Sequence, residues 1–301
     1  MHTYSSLCDA LQSLYGPDAS VVSRRPVGGS DLNRVSRLTV ETGAGIQLDL
    51  FLKENDKSLL SMFEAEATGL CALKATGAIG VPEVLAYGLD GDSSFLLLSW
   101  IASAPQASDY WEDFGVRLAN MHRADTSGLC DGAFGFSGDN FIGRTPQVNT
   151  PKDTWVSFFR ECRLFPQVRM AYDAGLLDVG DCRAADRVME RLDRFLIEPE
   201  YPSLLHGDLW GGNHMVGPAG HVLLIDPAVY VGHREADLAM TELFGGFHRD
   251  FYGAYREAAP LQPGYEDRRD LYNLYHLLNH LNLFGMSYYS SVKRLLNYYA
   301  G

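Results

Sequence analysis

Nine residues, Leu205-His206-Gly207-Asp208-Leu209-Trp210-Gly211-Gly212-Asn213, and the apolar run Val222-Leu223-Leu224-Ile225 that ends in Asp226 constrain this chain more than any other feature. Glycines at 207, 211 and 212 make the first segment a loop, and the aliphatic run that follows reads as a short strand. The fold must therefore carry an Asp and an Asn five positions apart on one loop and set a second Asp at the end of the next strand. That spacing matches a proton-accepting Asp and two magnesium ligands of a phosphoryl-transfer site, with Asp208 as the base and Asn213 and Asp226 as oxygen ligands suited to hard Mg²⁺. Taken singly, Asp208 opens a turn and Asp226 caps a strand end. The three together favour the chemical reading.

Composition narrows the partners. A chain of 301 residues with 46% apolar and 21% charged content is long enough for one large or two modest cores. A net charge of -13 without any basic run excludes a surface built to track nucleic-acid phosphates. The cysteines, Cys8, Cys71, Cys130, Cys162 and Cys182, are odd in number and lack a CxxC pair, so neither a disulfide framework nor a zinc site is expected. No segment reads as a signal peptide or as a bilayer-spanning run, which predicts a soluble cytoplasmic protein with no membrane partner.

The first hundred residues read as a small sheet with one helix. Val21-Val22, Val35 to Val40 and Ile46 to Leu52 are strand-like, with Gly43-Ala44-Gly45 as a tight turn. Leu59 to Leu73 has helical apolar spacing, and Val84 to Tyr87 with Phe95 to Leu98 forms a hairpin around Asp90-Gly91-Asp92. Strand patterning stops in Ala102 to Ser108. Beyond it, Trp111 to His122, Asp153 to Gly175, Asp181 to Leu196, Ala236 to Phe247 and Asp270 to Phe284 carry helical patterning, and Gly135 to Asn149 is expected to be an ordered loop. The expected domains are residues 1–102, nucleotide-binding, and 103–301, catalytic and substrate-binding.

Two further groups fit phosphate chemistry. Lys53 ends the third predicted strand, and Glu66 on the following helix is placed to hold its ammonium, with Glu64 as a rival on the opposite helical face. Gly28-Gly29-Ser30 lies between two strands, so it is not a Walker loop; it suits either close backbone approach to a nucleotide or a plain turn. Trp210 reads equally as a stacking platform for substrate or as a core anchor. Asp237 reads as a structural acceptor for the 206–213 loop, and His206, His276 and His280 as satisfied core or loop histidines.

Beyond these residues, the chain resembles the fructosamine kinase (ketosamine-3-kinase) family of the protein-kinase-like fold, related to aminoglycoside and choline phosphotransferases. The resemblance rests on the segments His206–Asn213, Ile225-Asp226-Pro227-Ala228-Val229-Tyr230, Gly232-His233-Arg234-Glu235-Ala236-Asp237-Leu238-Ala239-Met240 and Asp139-Asn140-Phe141-Ile142-Gly143. Met62-Phe63-Glu64-Ala65-Glu66 and Leu278-Asn279-His280-Leu281-Asn282-Leu283-Phe284-Gly285 also carry it. It implies ATP-dependent phosphorylation of the 3-hydroxyl of ketosamines, free or on glycated proteins, giving an unstable ester that releases the amine. Asp226-Pro227-Ala228 stands in place of Asp-Phe-Gly, and Gly211-Gly212 where Ser-Gly is frequent. Neither departure removes a ligand.

These readings combine into an α+β, two-lobed, kinase-like fold: a small antiparallel-sheet N-lobe with one main helix, and a larger mostly helical C-lobe. The backbone of Ser99, Trp100 and Ile101 is expected to join the lobes and meet adenine. Lys53, steadied by Glu66, and Gly28 to Ser30 are expected at the phosphates of ATP. An aminoglycoside- or choline-type acceptor and a non-catalytic nucleotide-binding module are the alternatives; the intact set Lys53, Asp208, Asn213 and Asp226 argues against the second.

Overall fold

Leu50, Leu52, Phe95 and Leu97 pack on one face of a sheet, whereas Phe51, Leu96 and Leu98 pack on the other. Period-two alternation with apolar residues on both sides requires a cover on each face. A computed structural model, which describes residues 3–28 and 33–301, supplies both covers. Two of the three glycine-loop residues, Gly29 and Ser30, lie outside the described residues.

The elements run β1 (Thr3–Tyr4), α1 (Leu7–Tyr15), β2 (Ser20–Pro26), β3 (Arg34–Glu41), β4 (Gln47–Asp56), α2 (Leu60–Ala75), β5 (Val84–Asp90) and β6 (Ser93–Ser99). The sheet order is β1-β5-β6-β4-β3-β2. Ala10 and Leu11 of α1 cover one face, and Phe63, Ala67 and Leu70 of α2 the other. Two expectations are corrected here. The sheet is mixed, because β1 pairs parallel with β5, and a second helix, α1, precedes it, with Ser6 accepting from the Asp9 amide as its N-cap.

The remainder begins with α3 (Tyr110–His122), the hairpin β7 (Asn140–Ile142) and β8 (Thr145–Gln147), α4 (Trp155–Phe158), α5 (Phe165–Asp173) and α6 (Val179–Glu190). It continues with β9 (Ser203–Leu205), β10 (His214–Val216), β11 (Val222–Leu224), β12 (Tyr230–Gly232), α7 (Glu235–Leu243), α8 (Arg249–Ala258), α9 (Tyr265–Phe284) and α10 (Tyr289–Ala300). The expected loop Gly135 to Asn149 contains the β7–β8 hairpin. The helix expected over Asp153 to Gly175 is present as a continuous helical run in which α4 and α5 are joined by a π-helical turn at Phe159–Leu164. Among the described residues, no helix is long and apolar enough to cross a membrane, and all five cysteines are unpaired.

Contacts divide the chain into two compact units, residues 1–108 with 215–225, and residues 109–214 with 226–301. The boundary expected at 102 moves, and Ser99-Trp100-Ile101 falls inside the first unit. The reason is local. The Ala107 amide donates to the Gly220 carbonyl (3.1 Å) and the Leu224 amide to the Gly80 carbonyl (2.9 Å), which ties both 102–108 and the β10–β11 hairpin to the first unit.

The second unit buries titratable groups. His233 stacks near Trp155 and Tyr272, and His276 lies inside α9, each at most 2% exposed. Burial pushes the pKa of each down to about 3, and nearby Arg234 and Arg268 add to the effect at His233. These groups stay neutral when folded and take up a proton when unfolded below about pH 6.5, so their stabilisation is complete above that pH and is lost as pH falls. Between pH 7.5 and 5, His276 alone is expected to withdraw about 2 kcal/mol of stability. Urea midpoints at the two pH values should converge in His276→Gln relative to the parent chain; an unchanged difference would show that His276 is not held neutral.

Candidate active site

β9 and β12 pair antiparallel, Leu205 opposite Tyr230, so the residues leaving β9 and those entering β12 emerge side by side. His206 closes this ladder by accepting from the Ala228 amide at 2.8 Å. Gly207 follows at φ +83°, and a β-carbon there would sit 1.9 Å from the Ala228 carbonyl oxygen, so only glycine lets the two segments approach. The amides of His206 and Gly207 then both donate to the Asp237 carboxylate, at 2.7 and 2.9 Å. The expectation that Asp237 is a structural acceptor for this loop agrees with that geometry.

Asp237 is itself held. Burial alone would raise its pKa, but the hydrogen bonds from His122 and from the Gly207 amide hold it below the usual carboxylate range. His122 Nε2 donates to Asp237 (3.1 Å), which leaves Nδ1 to accept from the Tyr255 hydroxyl (2.8 Å). Burial keeps His122 neutral and raises the pKa of Tyr255. Arg234 completes the chain through the Tyr255 hydroxyl (3.5 Å) and the Ala259 carbonyl (2.9 Å).

Beyond Gly207 the loop displays its chemistry. Asn213 donates from Nδ2 to the Asp208 carbonyl (2.8 Å) and carboxylate (3.1 Å), which commits its amide nitrogen and leaves Oδ1 as a ligand atom. Asp208 has its pKa raised to about 7, chiefly by burial and further by the charges of Asp226 and Asp237, against the lowering effect of Asn213. Asp226 occupies left-handed backbone at φ +53°. The Asp226 carboxylate and the Asn213 amide oxygen are hard oxygen donors of the kind that suits Mg²⁺ completed by phosphate oxygens. Among the described residues, no group of three or more His, Cys, Asp and Glu is arranged to hold a metal without such help. Trp210 is 41% exposed, and its ring lies over Gly212, where a β-carbon would stand 2.3 Å from it.

The segment after Asp226 is braced from behind. Asn140 Nδ2 donates to the Val229 carbonyl (2.7 Å), and Gln147 Nε2 donates to the Ala228 carbonyl (2.9 Å) and to Asn140 Oδ1 (2.7 Å). Tyr275 donates to Gln147 Oε1 at 2.6 Å. Arg163, delivered by the π-helical turn, is fully buried with its guanidinium 3.8 Å from the Tyr230 ring and bonded to Asn149. A cation buried without a carboxylate is offset here by carbonyls and ring faces.

The first unit carries the other predicted residues. Lys53 of β4 meets Glu66 of α2 at 2.6 Å, with both side chains largely buried, whereas Glu64 is exposed. Phe51, two residues before Lys53, shares its sheet face, and its ring lies 6.3 Å from that of Trp100. Gly28 stands at the β2–β3 turn. Ser99 is fixed to Glu83 through its amide and hydroxyl, both at 2.9 Å, and Trp100 carries the Arg37 guanidinium 4.8 Å from its ring. Sequence reasoning missed Phe51, His122, Tyr255, Asn140 and Gln147 as parts of these constructions. The alternation Phe51-Leu52-Lys53 was a readable sign of the first; the others join only in three dimensions.

Loop and strand end together define a protein-kinase-like phosphotransferase. The fructosamine kinase profile matches residues 3–300. A probable ketoamine kinase of Synechocystis is 37% identical over 97% of this chain and 95% of its own. The chloroplastic protein-ribulosamine 3-kinase of Arabidopsis thaliana is 38% identical over 91% of this chain and 81% of its own. A Thermobifida fusca structure named for fructosamine-3-kinase superposes with a TM-score of 0.82 at 35% identity, covering 98% of both chains. The chain belongs to the fructosamine kinase family.

Asp237→Asn keeps the shape but loses the charge that two backbone amides and His122 share. It is expected to lower stability by about 2 kcal/mol, the scale of a charged buried hydrogen bond, and to reduce turnover with nucleotide affinity little changed. Thermal melting and calorimetry check this; a variant melting and turning over like the parent would show the loop to be held by other contacts.

Proposed function

We propose that this protein transfers the γ-phosphoryl group of ATP to the 3-hydroxyl of ketosamines, of ribulosamine or fructosamine type, and so acts in deglycation. The observation that carries the reading is the placement of Asp208, Asn213 and Asp226 on one braced loop and strand end, in a chain whose similar relatives bear the names ketoamine kinase and protein-ribulosamine 3-kinase. Those names favour a glycated amine over an aminoglycoside or choline.

The roles follow from the chemistry. Asp208 accepts or orients the sugar hydroxyl proton, and its pKa, raised to about 7 by burial, makes its carboxylate a stronger base than a solvated one. Asn213 Oδ1 and Asp226 would hold Mg²⁺, which would supply neutralisation of the charge on the phosphates. Within the first unit, Lys53, oriented by Glu66, meets phosphate oxygens, Phe51 offers an apolar face to adenine, Ser99 to Ile101 offer backbone groups, and Gly28 approaches the phosphates. Trp210 presents an exposed ring to the sugar and to the cationic secondary amine beside it. The unpaired cysteines support a reducing compartment such as the cytoplasm.

Asp208→Asn should lower turnover by on the order of a hundredfold or more and leave nucleotide binding intact by calorimetry; near-parental turnover would remove Asp208 from the role of base. Asp226→Ala should abolish Mg²⁺-dependent turnover, with Asn213→Ala less severe, and full activity of the Asp226 variant at ordinary Mg²⁺ would assign the metal to another carboxylate.

Substrate class is tested by initial rates on ribulosamine and fructosamine adducts of lysine beside an aminoglycoside and choline. The ketosamines should be phosphorylated far faster, and Trp210→Ala should weaken ketosamine use more than ATP binding. Vigorous aminoglycoside turnover without ketosamine turnover would overturn the reading while sparing the roles of Asp208 and Asp226.

A further inference from the structure

The second unit exposes a continuous line of rings that starts at the candidate active site. Trp210 meets Phe244 at the end of α7 (6.5 Å between centroids), Phe244 meets His280 (4.9 Å), and His280 meets Phe284 (5.4 Å) and Tyr288 (5.0 Å). Phe244 and Phe284 are 42% and 61% exposed and are joined through His280, so the line is contiguous and open to a partner. The three stretches that supply it, 209–214, 243–248 and 271–292, contain no Asp, Glu, Lys or Arg. In a chain of net charge -13, the segments that supply the strip add no charged side chain of their own.

His280 is the polar exception. Its Nδ1 lies 2.8 Å from the His276 carbonyl, which can only accept, so Nδ1 carries the proton. Burial lowers its pKa, against the effect of that backbone bond, so the ring stays neutral and Nε2 is an acceptor within the strip. One acceptor among rings suits a backbone N–H flanked by apolar side chains.

The inference rests on the ketosamine reading above. We infer that the strip Phe244–His280–Phe284–Tyr288 binds the polypeptide around the glycated lysine, and that the protein prefers peptide-borne ketosamines whose neighbouring residues are aromatic or aliphatic. With the sugar at Trp210, the lysine stem reaches towards Phe244. The rings beyond it, two further contacts along the strip, are left to the residues next to the lysine, because an extended chain advances roughly 3.3 Å per residue.

The test uses the full chain and three peptides of equal length, each with one ribulosamine-modified lysine flanked by Phe and Leu, by Asp, or by Lys, beside a small ribulosamine lacking a peptide. KM for the Phe/Leu peptide should be about tenfold below that of either charged peptide, the scale expected for burying one aromatic side chain. Phe284→Ser and Tyr288→Ser should raise KM for the Phe/Leu peptide about tenfold, while kcat, KM for the small ribulosamine and KM for ATP move less than twofold. Equal KM values for the three peptides, or an equal effect of Phe284→Ser on the small ribulosamine, would overturn the inference and leave the ketosamine reading intact. A Phe284→Ser change in sedimentation without a change in peptide KM would also overturn it and assign the strip to self-association. Absence of turnover with every ketosamine would strike the ketosamine reading, and this inference with it.

Discussion

One carboxylate orders the second unit's chemistry. Asp237 receives the amides of His206 and Gly207, so the backbone that launches Asp208 is fixed by two charge-assisted bonds rather than by the ladder alone. An ionised group at that depth holds only if its acceptor capacity is filled, and His122 fills it. His122 in turn needs the Tyr255 hydroxyl to settle its tautomer, and Tyr255 lies on α8, so a helix distant in sequence is tied to the loop by a proton's position. The resulting rigidity is what a phosphoryl-transfer site requires, because most of its contribution to catalysis is placement.

A second polar construction meets the first from the opposite side. Asn140 spends an amide hydrogen on the Val229 carbonyl, Gln147 spends its own on the Ala228 carbonyl and on Asn140 Oδ1, and Tyr275 closes the last acceptor. Each member of the set is satisfied, which is the condition under which a buried polar network rigidifies rather than weakens a core. The two strands β9 and β12 are only three residues each, too short to fix their own register, and these side chains supply the missing specification.

What the sequence disclosed follows from how near the interacting residues lie along it. Asp208 and Asn213 are five apart and Lys53 and Glu66 thirteen apart, so loop and helix spacing alone could pair them. His122 and Asp237 are 115 positions apart, and no periodicity links them. Other features were present but not read: Ser6 with Asp9 marks the start of α1, and Val292, Leu295, Leu296 and Tyr299 recur at the helical spacing that forms α10. The stretch Asp153 to Gly175 was legible as helical, but the π-helical turn inside it was not, because the extra residue leaves the apolar spacing helical in appearance. The aromatic strip was illegible for another reason. Its rings come from three separate segments, each of which alone resembles ordinary core.

Asp226 also has an evolutionary consequence through its backbone. At φ +53° the position favours glycine, with Asn and Asp as the side-chain-bearing residues that tolerate it best. Under the role proposed for Asp226, two selective filters act on one site: conformation admits Gly, Asn and Asp, and phosphate chemistry admits the acid. A lineage that abandoned the reaction while keeping the fold would lose only the second filter. Its descendants would then drift to Gly or Asn at 226, with Gly207 and Asp237 retained, and that pattern would separate a retired enzyme from a working one without an assay.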